Sequence, residues 1–369
     1  MKIGIDARND ATGVGRYTFS LIRELAKIDR ENEYVLFLSR ERFAAYPAPG
    51  PNFRTVEAGI PWFTLREQVL LPRLIGRERL DLMHYPHVTV PLLATTPFVV
   101  TVHDLNYLDA AAISSPSDGR SRVRSAALRA GYRLELAKAR RARRLIAVSE
   151  HTRDTLVRAL GVDPARVAVT YEAADAPGAV EPDTAVLERH GLDAPFFLYV
   201  GSAYPYKNLA RLIEAFACVG GEHRLVLAGD HESFGAALTE QAAAAGLAER
   251  IVFPGPVSEA ELAALYAGAL AYVFVSLSEG FGLPGLEAMA AGVPVVAARA
   301  GSLPEIYGDA AHYCDPLDVA SIAAALAEVA AGADLRERLV ELGRQRAAGF
   351  SWARTAEQTL TIYREALLH

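Results

Sequence analysis

The sequence predicts an α/β fold built from two parallel, doubly wound domains. Three observations carry that expectation. Short apolar runs alternate with segments of helical period, the alternation pauses at residues 172–183 and then restarts, and 369 residues exceed what one ordinary core encloses.

In the first half, Ile3–Asp6, Tyr34–Leu38, Leu82–Tyr85, Phe98–Val102 and Leu145–Val148 read as strands. They are rich in Val, Ile, Leu and Tyr, and too short for helices. Arg16–Lys27, Leu65–Ile75 and Ser121–Arg143 lie among them with apolar residues at helical spacing. Glu172–Asp183, rich in Ala, Pro, Gly and acid, has no period and reads as a linker. Strands then recur at Phe196–Val200, Arg224–Ala228, Ile251–Phe253, Ala271–Val275 and Val293–Val296. Helices fall at Asn208–Val219, Phe234–Ala245, Glu259–Ala267 and Pro284–Ala291. The chain from Ala320 is helical and Ala-rich, with a last helix from Trp352. Strand–helix alternation of this kind gives a parallel sheet whose ligands bind at the carboxyl ends of the strands, and two such domains imply a cleft between those ends.

Composition bounds the partners. Hydrophobic residues make up 51% of the chain, enough for each half to bury a core. The net charge of −6 gives no basis for a nucleic-acid partner. Cys218 sits in an apolar helical pattern and Cys314 in a strand-like run, so both are expected to be buried thiols in a reducing cytoplasm. Met1-Lys2-Ile3-Gly4-Ile5-Asp6 reads as the start of a strand rather than a leader. No apolar run approaches the roughly 18 residues of a membrane span. The longest is Ala267–Leu277, so a soluble or peripheral protein is expected.

The most informative segment is Ser276-Leu277-Ser278-Glu279-Gly280-Phe281-Gly282-Leu283-Pro284-Gly285-Leu286-Glu287-Ala288-Met289-Ala290, which follows a buried strand and opens a helix. Gly280 and Gly282 let backbone approach a ligand. Pro284 suits the first helical position, where its missing N–H costs nothing, and amides at a helix start favour an anion. Glu279 stands before the helix and Glu287 about one turn inside it, so the two carboxylates are placed to accept hydrogen bonds from a sugar and a ribose. A tight strand-to-helix turn with capping acids would read the same way.

Two glutamates with seven residues between them in this segment, continued by Gly292, Pro294, Val295 and Val296, resemble the signature of retaining glycosyltransferases of family four. The resemblance implies the GT-B architecture of two Rossmann-like domains. These would be an acceptor-binding domain over residues 1–177, rejoined by a C-terminal helix at 351–369, and a nucleotide-sugar-binding domain over 178–350. Val200-Gly201-Ser202-Ala203-Tyr204-Pro205-Tyr206-Lys207-Asn208 is similar to the family's phosphate-binding strand–loop–helix. Gly201, Ser202, Lys207, Gly280, Phe281, Gly282, Leu283 and Glu287 thereby become donor-binding candidates. Some relatives carry arginine where this chain has Ser202 or Tyr206, so a second cation must come from elsewhere, with Arg16 or Arg8 as candidates. Asp6–Tyr17 resembles the family's glycine loop, with Gly13 and Gly15 facing the donor phosphates. His103, in Thr101-Val102-His103-Asp104, matches a histidine beside the transferred sugar. His103, Glu279 and Lys207 are the candidate catalytic residues, and His84, His87 and Arg16 the candidate acceptor contacts.

Arg120–Arg144 is strongly basic, and with Leu128, Tyr132, Leu134 and Leu136 it forms an amphipathic segment suited to an anionic membrane surface. A solvated charged face reads the same way. No zinc-type spacing and no Asp-x-Asp pair is present, so no metal and no cofactor is expected. The diphosphate would be met by Lys207, amides and helix dipoles. The expected reaction is metal-independent, retaining transfer of a sugar to a hydroxyl of a saccharide or lipid-linked acceptor. The resemblance points to mannose from GDP-mannose in surface polysaccharide or glycolipid synthesis. A UDP-sugar donor, an epimerase of the same architecture and a silent nucleotide-sugar-binding protein are the alternatives.

Overall fold

The computed structural model describes residues 1–9, 13–62, 64–108, 130–175, 183–230 and 235–368. The chain forms two compact units. The first holds the described residues among Met1–Leu108, Val123–Glu172 and Ser351–His369, and the second includes Ala173–Phe350.

The first unit is built on seven strands, β1 (Lys2–Ala7), β2 (Glu33–Leu38), β3 (Phe53–Glu57), β4 (Leu82–Tyr85), β5 (Phe98–Val102), β6 (Arg144–Ala147) and β7 (Val167–Val169). They lie in the order β3-β2-β1-β4-β5-β6-β7, and every neighbouring pair is parallel. β4 and β5 are buried along their whole length, as strands covered on both faces are. Leu71 and Ile75 from the helix Leu65–Arg77 share one core with Met83, Val100 and Leu145 of the sheet and with Leu136 from the helix at 130–139. The final helix, Trp352–Leu368, packs along the helix Gly13–Ile28, with the Trp352 and Tyr17 rings 6.0 Å apart edge to face.

The second unit repeats the plan with β8 (Phe196–Val200), β9 (Arg224–Ala228), β10 (Ile251–Gly255), β11 (Ala271–Phe274), β12 (Val295–Ala298) and β13 (Ala311–Cys314), in the order β10-β9-β8-β11-β12-β13. All its pairs are parallel. In both sheets the order reverses direction once, between β1 and β4 and between β8 and β11. That reversal leaves a crevice outside the carboxyl ends of those strands, the place where open α/β sheets bind ligands. Both sheets are therefore the doubly wound, Rossmann-like kind expected from the alternation.

Several local expectations are corrected. β12 begins two residues later than the apolar run suggested, because Gly292 adopts φ 78° and the Val293 amide bonds the Ala288 carbonyl at 2.9 Å, closing the preceding helix. The linker does not begin at Glu172, which is buried and hydrogen-bonded within the first unit. Of the two thiols expected inside, Cys314 is buried but Cys218 is exposed, since it caps the helix Leu209–Ala217 on its open side. In the basic segment, Arg120, Arg122, Arg124, Leu128 and Arg129 lie outside the described residues. Tyr132 and Leu136 are core residues, and Lys138 donates to the Ala94 carbonyl, so most of the described apolar face is occupied by the protein itself. Leu134 remains exposed. Among the described residues no helix is long and apolar enough to cross a membrane.

Candidate active site

In the second unit, the segments leaving β8 and β11 bring Lys207 and Glu279 together. Lys207 Nζ lies 2.7 Å from Glu279 Oε1. Both side chains are largely buried, at 13% and 11% exposure, so solvent screens the pair only in part. The ammonium also lies 4.9 Å from the Tyr206 ring centre and 5.2 Å from that of Phe274. The two segments are tied by the Leu277 amide, which donates to the Tyr206 carbonyl at 2.7 Å. Asn208, in the left-handed region at φ 64°, ends the turn that carries Lys207. Its amide donates to the carbonyls of Val275 and Pro316 at 3.0 and 2.8 Å. Asn tolerates that backbone better than most residues, which is the signal that could have singled it out.

Glu279 is held from behind. The Ser302 hydroxyl and amide donate to its carbonyl at 3.0 and 3.2 Å. Gly301 allows the approach, since a Cβ there would fall 2.8 Å from the Glu279 nitrogen. The glycine turn that follows is equally constrained. Gly282 sits at φ 98°, where a Cβ would fall 2.6 Å from Leu303 Cδ2 and Tyr307 Oη, and Tyr307 donates to its carbonyl at 2.6 Å. The helix Leu283–Ala290 starts there with no side-chain cap. The Phe281 and Leu283 side chains are buried, so these two candidates offer a ligand their backbone rather than their side chains. Glu287, also buried, lies in the second turn of the same helix. Gly201, at φ 151°, and Ser202, whose carbonyl accepts from Tyr199 at 2.6 Å, occupy the turn after β8.

In the first unit, His103 follows β5. Its Nδ1 lies 2.8 Å from Glu172 Oε1, its Nε2 lies 2.9 Å from the Pro86 carbonyl oxygen, and Tyr17 packs edge to face on the ring at 4.9 Å. Burial by itself lowers the affinity of this imidazole for its proton, but the Glu172 hydrogen bond and charge outweigh that and raise the pKa above its ordinary value. Glu172 and Tyr17 were not singled out from sequence.

His84 is corrected. It is fully buried, with Nδ1 2.7 Å from the Tyr363 hydroxyl and Nε2 2.8 Å from Thr101 Oγ1. Desolvation holds its pKa down at about 3, so it is a neutral packing histidine that joins the final helix to the sheet and offers nothing to an acceptor. His87 is partly buried, its Nδ1 has no hydrogen-bond partner among the described residues, and burial likewise depresses its pKa to about 3. Arg8 is also excluded as the second phosphate cation. It is buried and pairs with Asp6 and Glu67, both at 2.7 Å. Arg16 is exposed on the helix Gly13–Ile28. Gly15 is buried there, while a Cβ on Gly13 would meet no atom of the described residues within 4 Å.

Residues 11–176 match the family described as Glycosyltransferase Family 4, and residues 186–346 match Glycosyl transferases group 1. The O-antigen chain mannosyltransferase B of Escherichia coli is 30% identical over 376 residues, covering 96% of each chain. The chain belongs to glycosyltransferase family 4. A D-inositol 3-phosphate glycosyltransferase of Catenulispora acidiphila is 31% identical over 407 residues, covering 97% of this enzyme and 91% of that one. Among solved structures, Anabaena Alr3699/HepE in complex with UDP and glucose superimposes with a TM-score of 0.75 at 18% identity over 99% of both chains, a likeness of fold. The glycosyltransferase thus has the GT-B architecture. The curated relatives described are transferases, which gives the epimerase alternative no support.

Proposed function

We propose that this glycosyltransferase moves mannose from GDP-mannose to a hydroxyl of a saccharide or lipid-linked acceptor, in surface polysaccharide or glycolipid synthesis. The reaction retains anomeric configuration and uses neither metal nor cofactor. The observation that carries the donor sugar is the likeness to the Escherichia coli mannosyltransferase along nearly the whole of both chains. In this reading Lys207 meets the donor diphosphate together with the start of the helix Leu283–Ala290, and its pairing with Glu279 keeps both groups preorganised until the donor arrives. Glu279 and Glu287 accept hydrogen bonds from donor hydroxyls. No side chain is assigned as a nucleophile. The acceptor hydroxyl attacks on the face the diphosphate leaves, and a diphosphate oxygen takes its proton, so catalysis is positioning and electrostatic stabilisation.

UDP-sugar use is the second reading, favoured by the UDP-bound structural neighbour. The discriminating experiment is thermal stabilisation by GDP-mannose, GDP, UDP-glucose and UDP, followed by turnover with lipid-linked saccharides. A ligand at 100 times its Kd adds about 2.7 kcal/mol, so the correct nucleotide stands out in the melting curve. Selective stabilisation by UDP would replace the GDP reading. Failure to hydrolyse or transfer from any nucleotide sugar would remove the proposed function altogether. The exposed Arg133, Arg140, Arg141 and Arg143 would add peripheral contact with an anionic membrane on its cytoplasmic face.

A further inference from the structure

We infer that Glu172 is a positioning residue that holds His103 as an imidazolium, and that this cation is the form in which His103 serves transfer. The proton count behind the first half rests on geometry, and the raised pKa of the imidazole places the second proton on the ring. The Pro86 oxygen is a carbonyl and can only accept, so Nε2, 2.9 Å away, carries a proton. Glu172 Oε1 lies 2.8 Å from Nδ1, and that contact needs a second proton between carboxylate and ring. A neutral imidazole facing an ionised carboxylate and a carbonyl would leave one buried contact without a hydrogen. The pair therefore holds one proton more than a neutral histidine and a carboxylate, and the ion pair is the form in which Nδ1 donates.

The surroundings agree. On its own strand end His103 is followed by Asp104, whose charge also favours the cation. β4 and the turn after it contribute His84 and His87, both kept neutral by burial. The helix Gly13–Ile28 contributes the Tyr17 ring. The helix Glu150–Leu160 contributes Thr152, whose hydroxyl donates to the His103 carbonyl at 3.3 Å. Glu172 is thus the hydrogen-bonded carboxylate on the ring, and both ring N–H groups are already committed to protein acceptors. In this state His103 acts through its charge and its fixed orientation rather than by donating an N–H to a sugar hydroxyl. The second half of the inference rests on the proposed function. As the bond to the anomeric carbon breaks, negative charge grows on the departing diphosphate, and a fixed cation gains more from that charge in the transition state than in the ground state.

Glu172→Gln separates charge from position. The amide can donate to an unprotonated Nδ1, so the ring stays in place without its second proton. The experiment is an NMR titration of the His103 Cε1–H resonance, assigned by its loss in His103→Gln. It is combined with pH profiles of nucleoside diphosphate release from GDP-mannose, or from UDP-glucose if that is the donor. In the wild type, His103 should be doubly protonated at pH 6.5 and titrate above it. In Glu172→Gln it should titrate below that pH, and the alkaline limb of kcat should move down by at least one pH unit while the donor KM changes little. Glu172→Ala should lower kcat at every pH. A neutral His103 at pH 6.5 in the wild type overturns the charge assignment, a result that needs no substrate and does not depend on either Glu172 variant. A shifted titration with an unchanged pH–rate profile overturns the role of the cation. Absence of turnover from either nucleotide sugar in the wild type counts against the proposed function and leaves the NMR arm to decide the charge assignment.

Discussion

Replacing Lys207 by methionine tests both the architecture and the chemistry of the donor site. The substitution keeps an unbranched apolar side chain and removes the ammonium that lies 2.7 Å from Glu279 and near the Tyr206 and Phe274 rings. Two costs follow. Glu279 is left as a largely desolvated carboxylate without its cation. Stranding one partner of a fully buried pair costs about 3–5 kcal/mol, and the remaining exposure of 13% and 11% reduces this to about 1–3 kcal/mol. On the proposed function, the donor also loses a charge-assisted contact worth about 1.5–3 kcal/mol, or roughly 10- to 150-fold in kcat/KM. The double variant Lys207→Met/Glu279→Gln distinguishes the two costs, because a neutral amide no longer needs the cation. Denaturant unfolding should show most of the lost stability returning in the double variant, and calorimetry should show nucleotide affinity staying low. A Lys207→Met protein that unfolds like the wild type and binds nucleotide like the wild type would refute both the pairing and its role.

Other outcomes follow from particular positions. Gly282→Ala, which forces a Cβ to 2.6 Å from Leu303 and Tyr307 at a left-handed φ, should destabilise by about 2–4 kcal/mol in denaturant unfolding. Gly13→Ala, whose new Cβ meets no atom of the described residues within 4 Å, should unfold within about 1 kcal/mol of the wild type yet bind nucleotide sugar more weakly, as calorimetry would show. His84 stays neutral in the folded state down to about pH 3, whereas an unfolded histidine takes up its proton near 6.5. The unfolded chain therefore binds more protons between those values, and stability falls as pH drops through that window, by up to about 1.4 kcal/mol per pH unit for this one group. His84→Gln should flatten that acid limb in urea titrations. Replacing Arg133, Arg140, Arg141 and Arg143 by glutamine should weaken co-sedimentation with anionic vesicles by about 1 kcal/mol per charge, and unchanged co-sedimentation would end the membrane reading.

The central strands of both sheets were legible because parallel strands covered on both faces are continuous apolar runs. The edge strands of the first sheet were not. Phe53–Glu57 mixes Arg, Thr and Glu with two apolar residues, and Val167–Val169 is too short to stand out. Lys207, Glu279 and His103 were visible as residues at strand ends, but their partners depended on topology. Glu172 lies 69 residues from His103, and Lys207 lies 72 from Glu279, with strand pairing deciding both meetings. His84 and Arg8 look functional in sequence because a polar residue at a strand end reads the same whether it faces a ligand or is satisfied inside. Only Tyr363, from the far end of the chain, and the Asp6–Glu67 pair show that these two are satisfied by the protein.

The most direct test of the account is the anomeric configuration of the product formed from GDP-mannose and a lipid-linked saccharide in the presence of EDTA, read by NMR at C1 of the transferred sugar. Turnover should be undiminished and the linkage should carry the configuration of the donor. An inverted linkage, or activity abolished by the chelator and restored by a divalent cation, would contradict it.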